Sequence, residues 1–157
     1  MNENYDSTAD TLAHIKRVNT LLIEAAATLI HRASVHDNSK LVDPEKAIFD
    51  EFTPKLKGST YGSDEYKGFL VSMKTALDHH YANNSHHPEH YPNGVDGMNL
   101  FDLLEMLLDW KAATERHADG DIGKSLEINR ERFKLSDQTV AILDNTIRFL
   151  GWKPAGE

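Results

Sequence analysis

Apolar residues recur every three to four positions along most of this chain, and no run alternates polar with apolar as a half-buried strand must. The clearest stripe is Leu12, Ile15, Val18, Leu22, Ala26 and Leu29, with Ser7 and Asp10 as a capping-box start. After a segment holding His36, Asp37 and Lys40, Asp43 is placed to cap a second helix whose first residue is Pro44. Ala47, Ile48 and Phe52 form its inner face, and it ends near Gly58. Gly58 to Ser63 reads as a loop, and Tyr66, Phe69, Leu70, Met73, Ala76 and Leu77 predict a third helix that runs into His79 and His80. From Asn83 to Gly97 the chain has no period and reads as a functional loop. Asn99 with Asp102 caps a fourth helix through Phe101, Leu104, Leu108 and Ala112. A fifth covers Ile122 to Phe133 and a sixth Ser136 to Leu150, stopped by Gly151 and Pro154. The expected fold class is all-α, a single-domain bundle of about six helices over residues 1–157.

Composition narrows the function classes. Of 157 residues, 17 are Lys or Arg and 25 are Asp or Glu, and a net charge of −8 disfavours duplex nucleic acid and anionic membranes as partners. There is no cysteine, which excludes disulfides, thiolate zinc sites and Cys nucleophiles. No apolar run is long enough to span a bilayer, and the polar, acidic N-terminus gives no export signal, so a cytoplasmic location is expected. Trp110, Trp152 and the apolar last helix offer a surface for a homo-oligomer.

Nine histidines in so short a chain need a reason, and five of them, His79, His80, His86, His87 and His90, fall within twelve positions. At about 100° per residue, His14 lies at the edge of the first helix's apolar stripe and His31 on its polar face. On the third helix His80 shares the face of Phe69, Met73, Ala76 and Leu77, and His79 projects to the side. The fourth helix is apolar around most of its circumference, yet Asp102, Glu105 and Asp109 form a narrow acidic stripe that Arg116 joins. Asp109, flanked by Leu108 and Trp110, is where a buried carboxylate would call for a cation.

His14, the doublet His36-Asp37 and the helical Asp109 together resemble the HD-domain phosphohydrolase superfamily. The blocks HRASVHDNSK, ALDHHYANNSHHPEH and DLLEMLLDWKA are similar to a small HD-related family of bacteria and their phages, over about Thr11 to Ala113. The resemblance implies an all-helical core around a divalent metal, with His14, His36, Asp37 and Asp109 as ligands of one ion. Histidines between the doublet and the last Asp imply a second ion held by His80 and one of His86 or His87, His87 being the one selected, with Asp37 bridging. Neutral imidazole and carboxylate suit Mn, Fe, Co, Ni or Zn, with Mg acceptable. Asp37 is then ligand and proton acceptor, and Lys40 offers an ammonium to a phosphate oxygen. The implied activity is metal-dependent hydrolysis of a small phosphorylated molecule, expected to be a nucleotide, with Lys40, Lys111 or Arg116 drawing it in. Two alternatives share the same residues: a di-iron oxygenase on the same scaffold, and a metal-binding module without catalysis.

Overall fold

The computed structural model describes residues 5–59, 63–116 and 120–153. Among these residues there are seven α-helices and no strand: α1 (Thr8–Val35), α2 (Glu45–Gly58), α3 (Asp64–Ser72), α4 (Lys74–Asn83), α5 (Leu100–Thr114), α6 (Ile122–Phe133) and α7 (Asp137–Phe149). The all-α reading therefore holds. Single turns of 3-10 helix lie at Asn38–Leu41, Pro88–His90 and Gly94–Gly97. No helix among the described residues is long and apolar enough to cross a membrane. Pro154 and positions 60–62 of the expected loop lie outside the described residues.

By its internal packing the chain divides between His36 and Asp37 into two units. The first contains α1, which has no buried residue. His14 is exposed rather than turned into a core, because a lone helix has nothing within its own unit to pack against. The start of α1 also differs from expectation. Ser7 occupies the cap position without a side-chain bond, and Asp6 instead accepts from Thr8 N at 2.9 Å and Thr8 Oγ1 at 2.6 Å.

The second unit carries its apolar core at α5, α6 and α7. Met106, Leu107, Ile122, Leu126, Leu135, Leu143 and Ile147 are buried together, each contributing roughly 1.5–3 kcal/mol relative to exposure. Trp110 and Trp152 pack against this cluster, Trp110 stacking on Phe133 at 6.1 Å between centroids, so both rings serve the protein's own core. The Asn99 and Asp102 capping box of α5 forms as expected, and Ser136 caps α7 by accepting from Thr139 N. Gly151 ends α7 at φ +72°, a conformation glycine adopts without steric cost.

The histidine-bearing side of this unit is built by α2, α3 and α4. The expected third helix is two helices, broken at Met73, which closes α3 and opens α4. At the break Met73 N donates to Phe69 O at 2.9 Å and Leu77 N to Met73 O at 3.0 Å, so the two helices follow each other directly. Met73 at the break and Ala76 and His80 on one face of α4 are fully buried. Helix α2 begins one residue later than its sequence suggests, at Glu45, with Pro44 in the cap position. Glu45 then turns inward instead of meeting solvent.

Candidate metal centre

Asp37 opens the second unit in a left-handed conformation, φ +57° and ψ +13°. Few non-glycine residues other than Asp and Asn tolerate this region, and strain held at one residue is a recurrent mark of a functional position. Its Oδ1 lies 3.3 Å from His80 Nε2 and 3.5 Å from His86 Nε2. His87 Nε2 lies 2.9 Å from His80 Nε2, and its ring sits 4.2 Å from that of His86. One carboxylate oxygen and one nitrogen from each of three imidazoles thus gather within 4.8 Å of one another.

Each element brings its ligand for a local reason. His80 follows Met73 by seven positions and Ala76 by four, and so falls on the helix's buried face. His86 and His87 come from the expected loop, which contains two turns of 3-10 helix and is held by side-chain bonds. Asn84 donates to Ser39 Oγ and His80 O, both at 2.8 Å. Ser85 Oγ donates to Asp102 Oδ1 at 2.6 Å, and Tyr91 Oη to Asp102 Oδ2 at 2.8 Å. Arg132 on α6 donates to Glu89 at 2.7 Å. Gly97 completes the turn where no side chain fits, because a Cβ there would stand 2.8 Å from Tyr91 Cβ.

Two carboxylates stand behind the imidazoles. Glu45 Oε2 lies 2.9 Å from His80 Nδ1, a nitrogen that Asn84 Nδ2 and Ser39 Oγ also approach at 3.0 and 3.2 Å, and Glu105 Oε1 lies 3.1 Å from His86 Nδ1. A neutral imidazole has one proton, and placing it on Nδ1 satisfies each carboxylate. Both Nε2 atoms then face Asp37 Oδ1, an arrangement of donors that could hold a cation. His87 is held neutral, since burial, then the neighbouring His86 and His80, press its pKa down to about 2. Burial alone would raise the Glu45 carboxyl, but hydrogen bonds from His79 and Ser39 and the neighbouring His80 outweigh it and hold its pKa below the usual range.

The residues expected from the sequence are distributed as follows. Asp37, His80 and His87 come together, and a carboxylate oxygen of Asp109 lies within 4.8 Å of one on Asp37. Lys40 Nζ pairs with Asp37 Oδ2 at 2.6 Å and lies 5.4 Å from the Phe49 ring centre. Lys111 pairs with Glu115 at 3.0 Å and lies 5.7 Å from the Trp152 ring centre. Arg116 is exposed just beyond the end of α5. His14 and His36 belong to the first unit, where the backbone N–H of His36 donates to Arg32 O at 2.8 Å and closes the C-terminus of α1. Sequence reasoning left His86 as an alternative to His87 and missed Glu45 altogether. The signal for Glu105 was present in the acidic stripe of α5, whereas nothing local distinguishes Glu45 from a surface glutamate in a first helical turn.

No curated protein and no solved structure gives a match to the chain. A family does match, over residues 3–149. The chain belongs to the family of unknown function DUF5662.

Proposed function

We propose that the protein is a metal-dependent phosphohydrolase acting on a small phosphorylated substrate, with nucleotides as the substrate class. The observation that carries this reading is the convergence of Asp37 Oδ1 with the Nε2 atoms of His80 and His86, each imidazole backed by a carboxylate. A donor set of three imidazoles and a carboxylate, without thiolate, fits a first-row divalent ion in a catalytic setting. Asp37, His80, His86 and His87 would hold it, and Asp109 beside Asp37 would contribute to a second ion. When bound, such an ion acidifies a water molecule and draws charge from phosphoryl oxygens.

The remaining chemistry falls to side chains of this chain. Asp37 would take the proton of the attacking water as the new oxygen to phosphorus bond forms, and the leaving oxygen would depart with the electron pair of the broken ester or anhydride bond and take up a proton from Asp37 or solvent. Lys40, a third exposed and already beside Asp37, supplies a positive charge for a phosphoryl oxygen. The overall charge of −8 favours a small substrate held by a local cation over a polyanion. The resemblance to HD-domain enzymes adds the order of the three sequence blocks.

Elemental analysis of purified protein, followed by phosphate release from a panel of nucleotides with Mn, Co, Ni, Mg or Fe added separately, tests this. The expected result is bound metal, and hydrolysis that disappears in His80→Ala. Bound iron with visible absorbance and no hydrolysis would replace this reading with the oxygenase. Protein that binds no metal would leave only a non-catalytic module.

A further inference from the structure

Glu45 breaks the rule its sequence position sets. A glutamate in the first turn of a helix ordinarily lies in solvent near the helix dipole, yet this carboxylate is completely buried. Removing a charge from water costs several kcal/mol unless strong partners replace it. Glu45 has three. His79 Nδ1 lies 2.7 Å from Oε1, His80 Nδ1 2.9 Å from Oε2, and Ser39 Oγ donates to Oε2 at 3.0 Å. Ser39 accepts in turn from Asn84, which also holds His80 through its carbonyl. Two consecutive histidines of α4 are therefore gripped by the two oxygens of one carboxylate, and only one of them reaches the donor cluster. His80 is buried with its Nε2 among the cluster atoms, whereas His79 stays substantially exposed.

We infer that Glu45 is a positioning residue for the metal centre: it holds the proton of His80 on Nδ1 and fixes the ring so that Nε2 faces Asp37. His79 is its brace, not a ligand. The second bond stops the Glu45 side chain from rotating and keeps Oε2 on His80. This explains the adjacent pair, because a brace must lie beside the ligand yet point about 100° away around the helix. The inference rests on the metal reading proposed above.

Two measurements separate them. In metal-free protein, long-range nitrogen-15 to proton correlation reads the His80 tautomer directly, without reference to activity or metal. Wild type should show the Nδ1–H form, and Glu45→Gln should lose it, because an amide cannot accept from both imidazoles. Titration with Co2+ then reads affinity and the visible spectrum. Glu45→Gln should bind about 10- to 100-fold more weakly with an altered spectrum, as loss of an outer partner of a ligating imidazole typically does. His79→Gln, which leaves the carboxylate in place, should lose less, and it serves if Glu45→Gln fails to fold. An Nε2–H tautomer in wild type, or Glu45→Gln binding Co2+ with wild-type affinity and spectrum, would overturn the inference while the metal reading stands. Wild type that binds no Co2+ would overturn both.

Discussion

Tyr91 donates its hydroxyl to Asp102 at 2.8 Å, and this bond ties the loop that carries His86 and His87 to the first turn of α5. Asp102 is fully buried, accepts also from Ser85 Oγ and Asn99 N, and thereby serves the helix cap and the loop together. Asp102→Ala should lose about 2–4 kcal/mol by guanidinium unfolding, from the cap and the donors left without an acceptor. Tyr91→Phe should lose about 1 kcal/mol. An Asp102→Ala variant of wild-type stability would mean that the loop is held without it.

Removing either histidine nitrogen from the cluster should empty it. His80→Ala and His86→Ala should each lower bound metal well below one ion per chain after dialysis, read by elemental analysis, with far-UV helical signal largely kept. His31→Ala, an exposed position on α1, should leave metal content unchanged. If His86→Ala kept full metal, His86 would be a bystander and the ligand set would need revision.

Lys40 separates substrate binding from metal binding. Its ammonium is 2.6 Å from Asp37 Oδ2, so it competes with any ion for that carboxylate. Lys40→Met should raise KM for a phosphorylated substrate. It should also tighten Mn2+ binding by about 1 kcal/mol, or roughly fivefold, allowing for solvent screening of a partly exposed pair. Weaker metal binding in this variant would show that Lys40 supports the site.

Acid should destabilise the metal-free protein through His87. Its pKa is lowered from 6.5 to about 2, first by burial and then by its neighbours His86 and His80. The unfolded chain takes up a proton near pH 6.5 that the folded chain refuses until about pH 2. Stability from this group is therefore full above about pH 6.5 and declines as pH falls through that window. With EDTA present, the guanidinium midpoint should be lower at about pH 5 than at about pH 7.5, and His87→Gln should shrink the difference. No shrinkage would assign the acid sensitivity to other groups.

Gly97→Ala tests the tightness of the loop. The new methyl would meet Asn93 Oδ1 at 2.5 Å and Tyr91 Cβ at 2.8 Å, which should cost about 1–3 kcal/mol by overpacking. An unchanged unfolding midpoint would mean that the turn relaxes freely.

What the sequence revealed and what it concealed have separate physical causes. The helices of the core were readable because their stripes and caps are local: Asn99 with Asp102, Ser136 and Gly151 all act within a few residues of the ends they define. His80 was legible for the same reason, as it shares the face of Met73 and Ala76. The break at Met73 was not, since the apolar spacing runs through it unchanged. Glu45 was hidden because its burial depends on partners 34 and 35 positions away, a distance over which no periodicity operates. The loop was read as functional from its histidines, but its order rests on Asp102 and Arg132, which belong to other helices. Lys111 and Arg116 were singled out for their charge, and charge does not fix a direction on a helix.

Three of the four clustered donors lie within eight residues, from His80 to His87, whereas Asp37 precedes the first of them by more than forty positions. Bringing the three histidines together closes only a short ring, at little entropic cost, and Asp37 alone must return across a long stretch of chain. An ion shared by all four would restrict the unfolded chain chiefly through that long ring, as a cross-link between Asp37 and His80 would. The segment around Asp37 should therefore be the part of the second unit whose amide exchange slows most on metal loading, and the first to open when a chelator removes it.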